Sequence, residues 1–160
     1  MIIVCLLLTL LVFATQHGVR SEDAGRVCNG KPQSLCQGES DHKTASTVSY
    51  SELRNLLAEG KVRLFDVRNP DEFAEGHIPT AVNVPLGELR EAFGLTPGQF
   101  EARYGTQLPE SDAADVLLYC QRGRRSAEGL QILRALGYHR VRHYAGGYSE
   151  WSDRVKSKKQ

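Results

Sequence analysis

One short stretch of the chain combines a nucleophilic side chain with dense positive charge. It comprises Cys120, Gln121, Arg122, Gly123, Arg124, Arg125 and Ser126. A cysteine between an apolar strand and a helix N-terminus lies among backbone N–H donors, which together with the helix dipole and the arginines favour an anion. Such surroundings favour the reactive thiolate, and Gly123 lets the backbone curl without a Cβ clash. The pattern predicts a nucleophilic Cys120; a buried structural cysteine before a basic surface turn is the alternative.

The elements that must position this loop follow from the apolar pattern. Strands are predicted over Val62–Val67, Ala81–Val84, Val116–Tyr119 and Val141–Tyr144. Helices are predicted from Ser49 to before Gly60, and over Asn69–Gly76, Leu86–Phe93, Pro97–Tyr104, Ser126–Leu136 and Gly147–Val155. This alternation predicts an α/β domain with a mainly parallel sheet that helices cover on both faces. Ligands of such sheets bind at the carboxyl ends of the strands, which directs attention to the residues after Val67 and after Tyr119.

Length and composition indicate one ordinary globular domain with an appendage. The chain has 160 residues, of which 41% are hydrophobic and 24% are charged, so it is too apolar to be wholly disordered. Its 20 Lys and Arg nearly balance its 19 Asp and Glu, and the formal charge of +1 gives no indication of a nucleic-acid or membrane-surface partner. The folded part is predicted over residues 47–156, with a basic tail over 157–160.

The residues before the domain divide into an apolar segment and a polar tether. Residues 1–14 contain the uncharged run Ile2–Ala14, which has the length of a signal-peptide core and is short for a bilayer span. A cleaved secretory signal is predicted, although no Lys or Arg precedes the run; a membrane anchor, a mitochondrial location and a cytoplasmic one are the alternatives. Residues 15–46 are predicted to be a disordered tether. Its Cys28 and Cys36 either pair with each other or are thiols without function.

Three stretches of the chain resemble the rhodanese family, in particular its single-domain members, the small thiosulfate:glutathione sulfurtransferases. They are Asp66–Pro85, which is similar to the family's N-terminal signature, Cys120–Ser126, which is similar to its active loop, and Ala145–Trp151, which is similar to its C-terminal signature. The resemblance implies a rhodanese-like fold with a mainly parallel five-stranded sheet. Thr80 departs from the family, which usually has glycine there.

The resemblance also implies a reaction. Cys120 would take the outer sulfur of a small anionic donor such as thiosulfate and hold it as a persulfide, and a thiol such as glutathione, or cyanide, would then accept that sulfur. This chemistry requires no cofactor and no metal. A monomer without a nucleic-acid partner is expected.

The roles of the other site residues are likewise implied by the resemblance. The backbone N–H groups of the loop residues 121–126 would stabilise the thiolate and the persulfide. Arg122 and Arg124 would attract the donor, whereas Arg125 would face the pocket less because it begins the helix. Arg68 would either pair with Asp66 or line the pocket. The histidine of the N-terminal signature, His77, is interpreted as structural.

Two rival functions share this fold. The first is a phosphatase, whose loop runs from cysteine through five residues to arginine. Here the sixth residue after Cys120 is Ser126 and the last arginine is Arg125, so the loop is one residue shorter. The family resemblance implies that this shorter loop suits a sulfur atom and crowds out a phosphate. The second is a binding module without activity, which commonly lacks the cysteine that this chain has. A thioredoxin-like role is disfavoured because no Cys-x-x-Cys occurs.

Overall fold

The computed structural model describes residues 46–157, which form five strands and seven helical segments. The strands are β1 (Thr47–Val48), β2 (Arg63–Asp66), β3 (Val82–Asn83), β4 (Val116–Tyr119) and β5 (Arg142–Tyr144). The helices are α1 (Tyr50–Ala58), α2 (Pro70–Glu75), α3 (Leu89–Ala92), α4 (Pro97–Tyr104), α5 (Arg124–Ala135) and α6 (Gly147–Ser157), with a 3₁₀ helix over Leu86–Glu88. The predicted signal segment, nearly all of the tether with Cys28 and Cys36, and most of the basic tail lie outside the described residues.

The five strands form one sheet in the order β1-β5-β4-β2-β3, and every neighbouring pair is parallel. In the central strand β4, Leu118 lies opposite Phe65 of β2 on one side and His143 of β5 on the other. The sequence prediction of a parallel α/β sheet is therefore confirmed. The carboxyl ends of β2, β4 and β5 meet at one edge of the sheet. Asp66 ends β2 there, Cys120 follows β4, and the N-terminus of α6 follows β5.

The sheet separates two apolar clusters. Along β4 the side chains alternate: Val116, Leu118 and Cys120 belong to one cluster, and Leu117 and Tyr119 belong to the other. All five side chains are at most 1% exposed. Burial of a leucine-sized side chain contributes roughly 1.5–3 kcal/mol, so β4 is held from both faces. The nucleophile predicted from the sequence thus follows a strand whose four residues are all buried.

The start of α5 and the presence of β1 differ from the sequence prediction for identifiable reasons. Helix α5 begins at Arg124 rather than at Ser126, because Gly123 adopts a left-handed conformation (φ +80°) that turns the chain into the helix two residues earlier. Strand β1 was not indicated by any apolar run, since it has only two residues, and its partner β5 defines it. Within residues 46–157, no helix has the length and apolar character needed to cross a membrane.

Candidate active site

Cys120 lies at the carboxyl end of β4, where the chain leaves the sheet, and only 1% of it is exposed. Its backbone carbonyl accepts a hydrogen bond from the N–H of Tyr148 at 2.8 Å, and the carbonyl of Gln121 accepts one from Ser149 at 3.1 Å. Both donors belong to the first turn of α6, whose N–H groups have no partners inside the helix. The start of α6 therefore binds the carbonyl side of the loop that follows Cys120.

The other side of the same loop presents hydrogen-bond donors. None of the backbone N–H groups of residues 121–126 donates to an acceptor within the part of the chain that the structure describes. Buried or half-buried N–H groups without an acceptor are costly, and a row of them at a helix N-terminus binds anions. In sequence these donors directly follow the Cys120 thiol and lead into the twelve-residue helix α5. The loop can thus stabilise negative charge on a sulfur atom at this position.

Two glycines allow the loop to pack against the β5–α6 turn. Gly123 and Gly147 both have positive φ, +80° and +64°. A Cβ on Gly123 would collide with the Ala145 carbonyl, and a Cβ on Gly147 would overlap the carbonyl oxygens of Cys120 and Gln121. The two backbones are therefore in direct contact. This contact explains why the glycine-rich C-terminal signature accompanies the loop.

Beneath the loop lies a buried ion pair between Asp66 and Arg68, which are 0% and 2% exposed. The Arg68 Nε bonds both carboxylate oxygens, at 3.1 and 2.9 Å, and its Nη2 bonds Asp66 Oδ2 at 2.7 Å. Burial alone would lower the pKa of Arg68, but the hydrogen bonds and charge of Asp66 outweigh burial, and the pKa is raised. Of the two roles that the sequence left open for Arg68, the structure gives the pair with Asp66.

The remaining donors of Arg68 connect the pair to the loop. Nη1 bonds the Gln121 side-chain oxygen at 3.1 Å, and Nη2 bonds the Gly76 carbonyl at 2.7 Å. The Gln121 amide nitrogen in turn donates to Ser149 Oγ at 3.0 Å. The Tyr148 ring covers the guanidinium at 4.4 Å. Arg68 and the side chain of Gln121 therefore hold β2, the loop and α6 together.

The three loop arginines have unequal surroundings. Arg125 forms a two-pronged ion pair with Glu72 of α2, with Nη–Oε distances of 2.6 and 2.7 Å. The hydrogen bonds to Glu72 raise the pKa of Arg125. Arg122 and Arg124 are exposed and pair with no carboxylate within residues 46–157. The free positive charge at the loop is thus that of Arg122 and Arg124, the two arginines that the resemblance assigns to the donor.

Glu72 is the site residue that sequence reasoning missed. The hydrogen bonds from Arg125 lower its pKa from 4.5 to about 2, and the Asn69 N–H, which donates to Oε2 at 3.2 Å, assists. In the sequence, Glu72 lies within the stretch that resembles the N-terminal signature, and its position three residues after Asn69 indicates a capping box rather than a partner for the loop. The arginine partner lies 53 residues later, beyond any local pattern.

Ser126 and His77 have supporting positions. The buried Ser126 hydroxyl donates to the Gly123 carbonyl at 3.0 Å and contacts His143 Nδ1 at 3.0 Å. Because a hydroxyl has one hydrogen, this arrangement requires the proton on His143 Nδ1. Burial and the charge of Arg134 lower the pKa of His143, which favours the neutral ring. His77 stacks on Phe73 at 4.0 Å, in line with its structural interpretation.

Known proteins share both the sequence and the fold of this site. Residues 49–154 match the model of the rhodanese-like domain. The chain is 44% identical over 110 residues to human thiosulfate:glutathione sulfurtransferase, an alignment that covers 69% of this chain and 96% of that protein. The chain belongs to the rhodanese family. The resemblance noted in the sequence is thereby confirmed.

The structural comparison agrees with this membership. The fold superposes on a human single-domain sulfurtransferase with a TM-score of 0.66 and 44% identity, over 68% of this chain and 96% of that one. A mitochondrial relative from Schizosaccharomyces pombe is 38% identical over 120 residues, which cover 72% of this chain and 84% of that protein. The five-stranded parallel sheet is therefore the rhodanese sheet.

Proposed function

We propose that this rhodanese is a sulfurtransferase that moves the outer sulfur of thiosulfate to a thiol through a persulfide on Cys120. The observation that carries the proposal is the row of N–H donors without acceptors in residues 121–126, directly after a cysteine at the carboxyl end of the central strand. The names of the human relative and of its fold neighbour support the same class of activity.

In the first step, the Cys120 thiolate attacks the outer sulfur of thiosulfate. A bond forms between the two sulfur atoms, and the bond between the outer and the central sulfur of thiosulfate breaks. Its electron pair leaves with sulfite, so a thiolate and a thiosulfate dianion become a persulfide anion and a sulfite dianion. Arg122 and Arg124 attract the donor, and the loop N–H groups stabilise the charge that remains on the persulfide.

In the second step, an acceptor thiolate such as that of glutathione attacks the outer sulfur of the persulfide. The sulfur–sulfur bond of the enzyme breaks, and its electron pair returns to Cys120 as thiolate. The acceptor leaves as a persulfide anion, so charge is again conserved. No cofactor or metal takes part in either step, and cyanide can replace the thiol.

The structure bears on the two rival functions through the loop. Its short span, in which Ser126 occupies the position of the phosphatase arginine, leaves fewer N–H donors for the three equatorial oxygens of a phosphoryl group. A binding module without activity would have no use for a thiol among free donors. We therefore favour sulfur transfer over both alternatives. Electrostatic attraction does not distinguish them, because the loop arginines attract any anion.

The test is mass spectrometry of the reduced full-length chain after thiosulfate treatment. We expect the Cys120 peptide to gain the mass of one sulfur atom, and glutathione to remove it. Cys120→Ser should abolish sulfur transfer while the domain remains folded, and the matched control with Cys28→Ser and Cys36→Ser should retain transfer under reducing conditions. Transfer by Cys120→Ser near the parent rate, or Cys120-dependent hydrolysis of an aryl phosphate, would contradict the proposal.

Mass spectrometry of the chain purified from cells would also show at which residue the mature protein begins. We propose a secretory location with cleavage after Ala14, because the apolar run has the length of a signal core. A mature chain from secreting cells should then begin at Thr15. The mitochondrial relative makes an organellar location the alternative, in which Cys120 would remain reduced.

A further inference from the structure

The Glu72–Arg125 ion pair joins α2 to the loop that follows Cys120 but takes no part in the two transfer steps. Each terminal nitrogen of Arg125 donates a hydrogen bond to a different carboxylate oxygen of Glu72. An arginine held in this way presents little net charge to a third group, since the carboxylate lies beside it. Arg122 and Arg124, in contrast, have no carboxylate partner within the described range. Of the three arginines in the loop that follows Cys120, Arg125 alone is therefore neutralised by a carboxylate within the described residues.

The carboxylate is fixed in its position as well as in its charge. Glu72 lies in the first turn of α2, where Asn69 donates its N–H to the same oxygen that binds Arg125 Nη1. The two side chains are 28% and 29% exposed, so solvent screens them only in part. Glu72 is thus a permanent negative charge beside a site whose donor, product and nucleophile are all anions.

We propose that Glu72 is a specificity-determining residue that limits how strongly the Cys120 site binds dianions. This inference rests on the sulfurtransfer proposed above. Thiosulfate enters and sulfite leaves as dianions of similar size, so a third free guanidinium would strengthen the binding of both. By neutralising Arg125, Glu72 weakens donor binding but lets sulfite depart before the acceptor thiolate, itself an anion, approaches the persulfide.

The decisive variant is Glu72→Gln, which keeps the shape and the capping hydrogen bond but removes the charge. Its binding is measured by calorimetry on the full chain in a Cys120→Ser background, which is independent of turnover. We expect thiosulfate and sulfite each to bind about tenfold more tightly, as for one freed charge-assisted contact. Methanethiosulfonate, a monoanionic donor, should gain only about threefold, because Coulomb energy is proportional to ligand charge.

Two further variants distinguish charge from structure. Asp71→Asn removes the same charge from the exposed neighbour on α2, and thiosulfate affinity should change by less than about twofold because of solvent screening. The double variant Glu72→Gln with Arg125→Gln removes one negative and one positive charge, so the net charge of the pair stays zero. Its thiosulfate affinity should return to within about twofold of the Cys120→Ser parent.

The outcomes are separable. Unchanged or weaker thiosulfate binding by a Glu72→Gln variant that is fully folded at the assay temperature would overturn the inference. An equal gain for the monoanion and the dianion, or an equal gain in Asp71→Asn, would overturn it too. If the double variant binds worst of all, the pair is a structural support and the inference is wrong. Failure of the unmodified chain to form a persulfide would instead refute the proposed function.

Discussion

Two arginine–carboxylate pairs lie at the carboxyl edge of the sheet, with almost identical chemistry and different surroundings. Arg68 and Asp66 approach to 2.7 Å with 2% and 0% of their side chains exposed. Arg125 and Glu72 approach to 2.6 Å with 29% and 28% exposed. The first pair bonds the loop, β2 and the segment after α2 at once, whereas the second bonds one helix to another. Burial therefore distinguishes a pair that maintains structure from a pair that sets charge.

Within the loop, too, different residues provide structural support and positive charge. The loop is held in place by the contacts of Arg68 with Gln121 and Gly76 and by the two hydrogen bonds from the first turn of α6. We propose that the exposed Arg122 and Arg124 attract anions to the loop. Because different residues carry the two tasks, we expect substitutions to affect stability and substrate binding separately.

The largest effect is expected from Arg68→Met, which keeps the length of the side chain but leaves Asp66 as an unpaired buried charge. The free energy of unfolding should fall by about 3–5 kcal/mol, the usual cost of removing one partner of a buried pair. Urea denaturation monitored by the fluorescence of Trp151 measures it.

A second variant shows whether the charge of Asp66 causes that loss. Replacing both partners, Asp66→Leu with Arg68→Met, should recover part of the lost stability, because no isolated charge remains. A loss below about 1 kcal/mol for Arg68→Met would mean that the buried pair does not anchor the loop and that the contrast between the two pairs is wrong.

The next effect concerns substrate binding. The double variant Arg122→Gln with Arg124→Gln should raise the KM for thiosulfate about tenfold or more and leave kcat less affected, because it removes the free charges that attract the donor. Its stability should stay within about 0.5 kcal/mol of the parent, since neither side chain pairs with a carboxylate in the described residues. Steady-state kinetics measure the KM, and the exposed Arg90→Gln is the matched control. An unchanged KM would show that the loop N–H groups suffice.

A smaller effect is expected from acid on the Glu72–Arg125 pair. The pKa of Glu72 falls from 4.5 to about 2 on folding. The pair therefore stabilises the folded state above pH 4.5, and this contribution disappears as the pH falls toward 2. The difference in melting temperature between the parent and Glu72→Gln should be constant near neutral pH and shrink below 4.5. A difference independent of pH would show that the carboxylate charge does not stabilise the fold.

Most of the fold could be read from local patterns because local forces decide it. The apolar run Val116–Tyr119 and the caps at Ser49 and Thr96 specify their elements within a few residues. Strand β1 could not be found in this way, because two residues carry no periodicity and only the partner β5 makes them a strand.

The site shows the same division between local and distant information. Cys120 and its arginines are contiguous, so their chemistry is evident in the sequence. The pairing of Arg125 with Glu72 is not, since 53 residues separate them and each has a plausible local role. The surroundings of Arg68 also required the structure. The sequence does not show that this side chain is buried or that it donates to the Gly76 carbonyl.

The smallest effect is expected at Thr80, which alters neither ion pair. Among the described non-glycine residues it alone has a positive φ, +67°. A β-branched side chain is strained there by about 1–3 kcal/mol, and the family usually has glycine at this position. Thr80→Gly removes that strain but adds about 0.5–1 kcal/mol of unfolded-state entropy.

A net gain of about 0.5–2 kcal/mol in the free energy of unfolding should therefore remain for Thr80→Gly. Urea denaturation measures it, with Thr80→Ala as the control that keeps a Cβ and should gain less. The turn that contains Thr80 is connected to strand β4 through Ile78, whose N–H donates to the Tyr119 hydroxyl at 3.1 Å. If Thr80→Gly gains stability while the KM for thiosulfate stays constant, strain in this turn is independent of the site. A changed KM would instead show that β4 transmits the strain from this turn to the Cys120 loop. Stability and substrate binding would then not be separable.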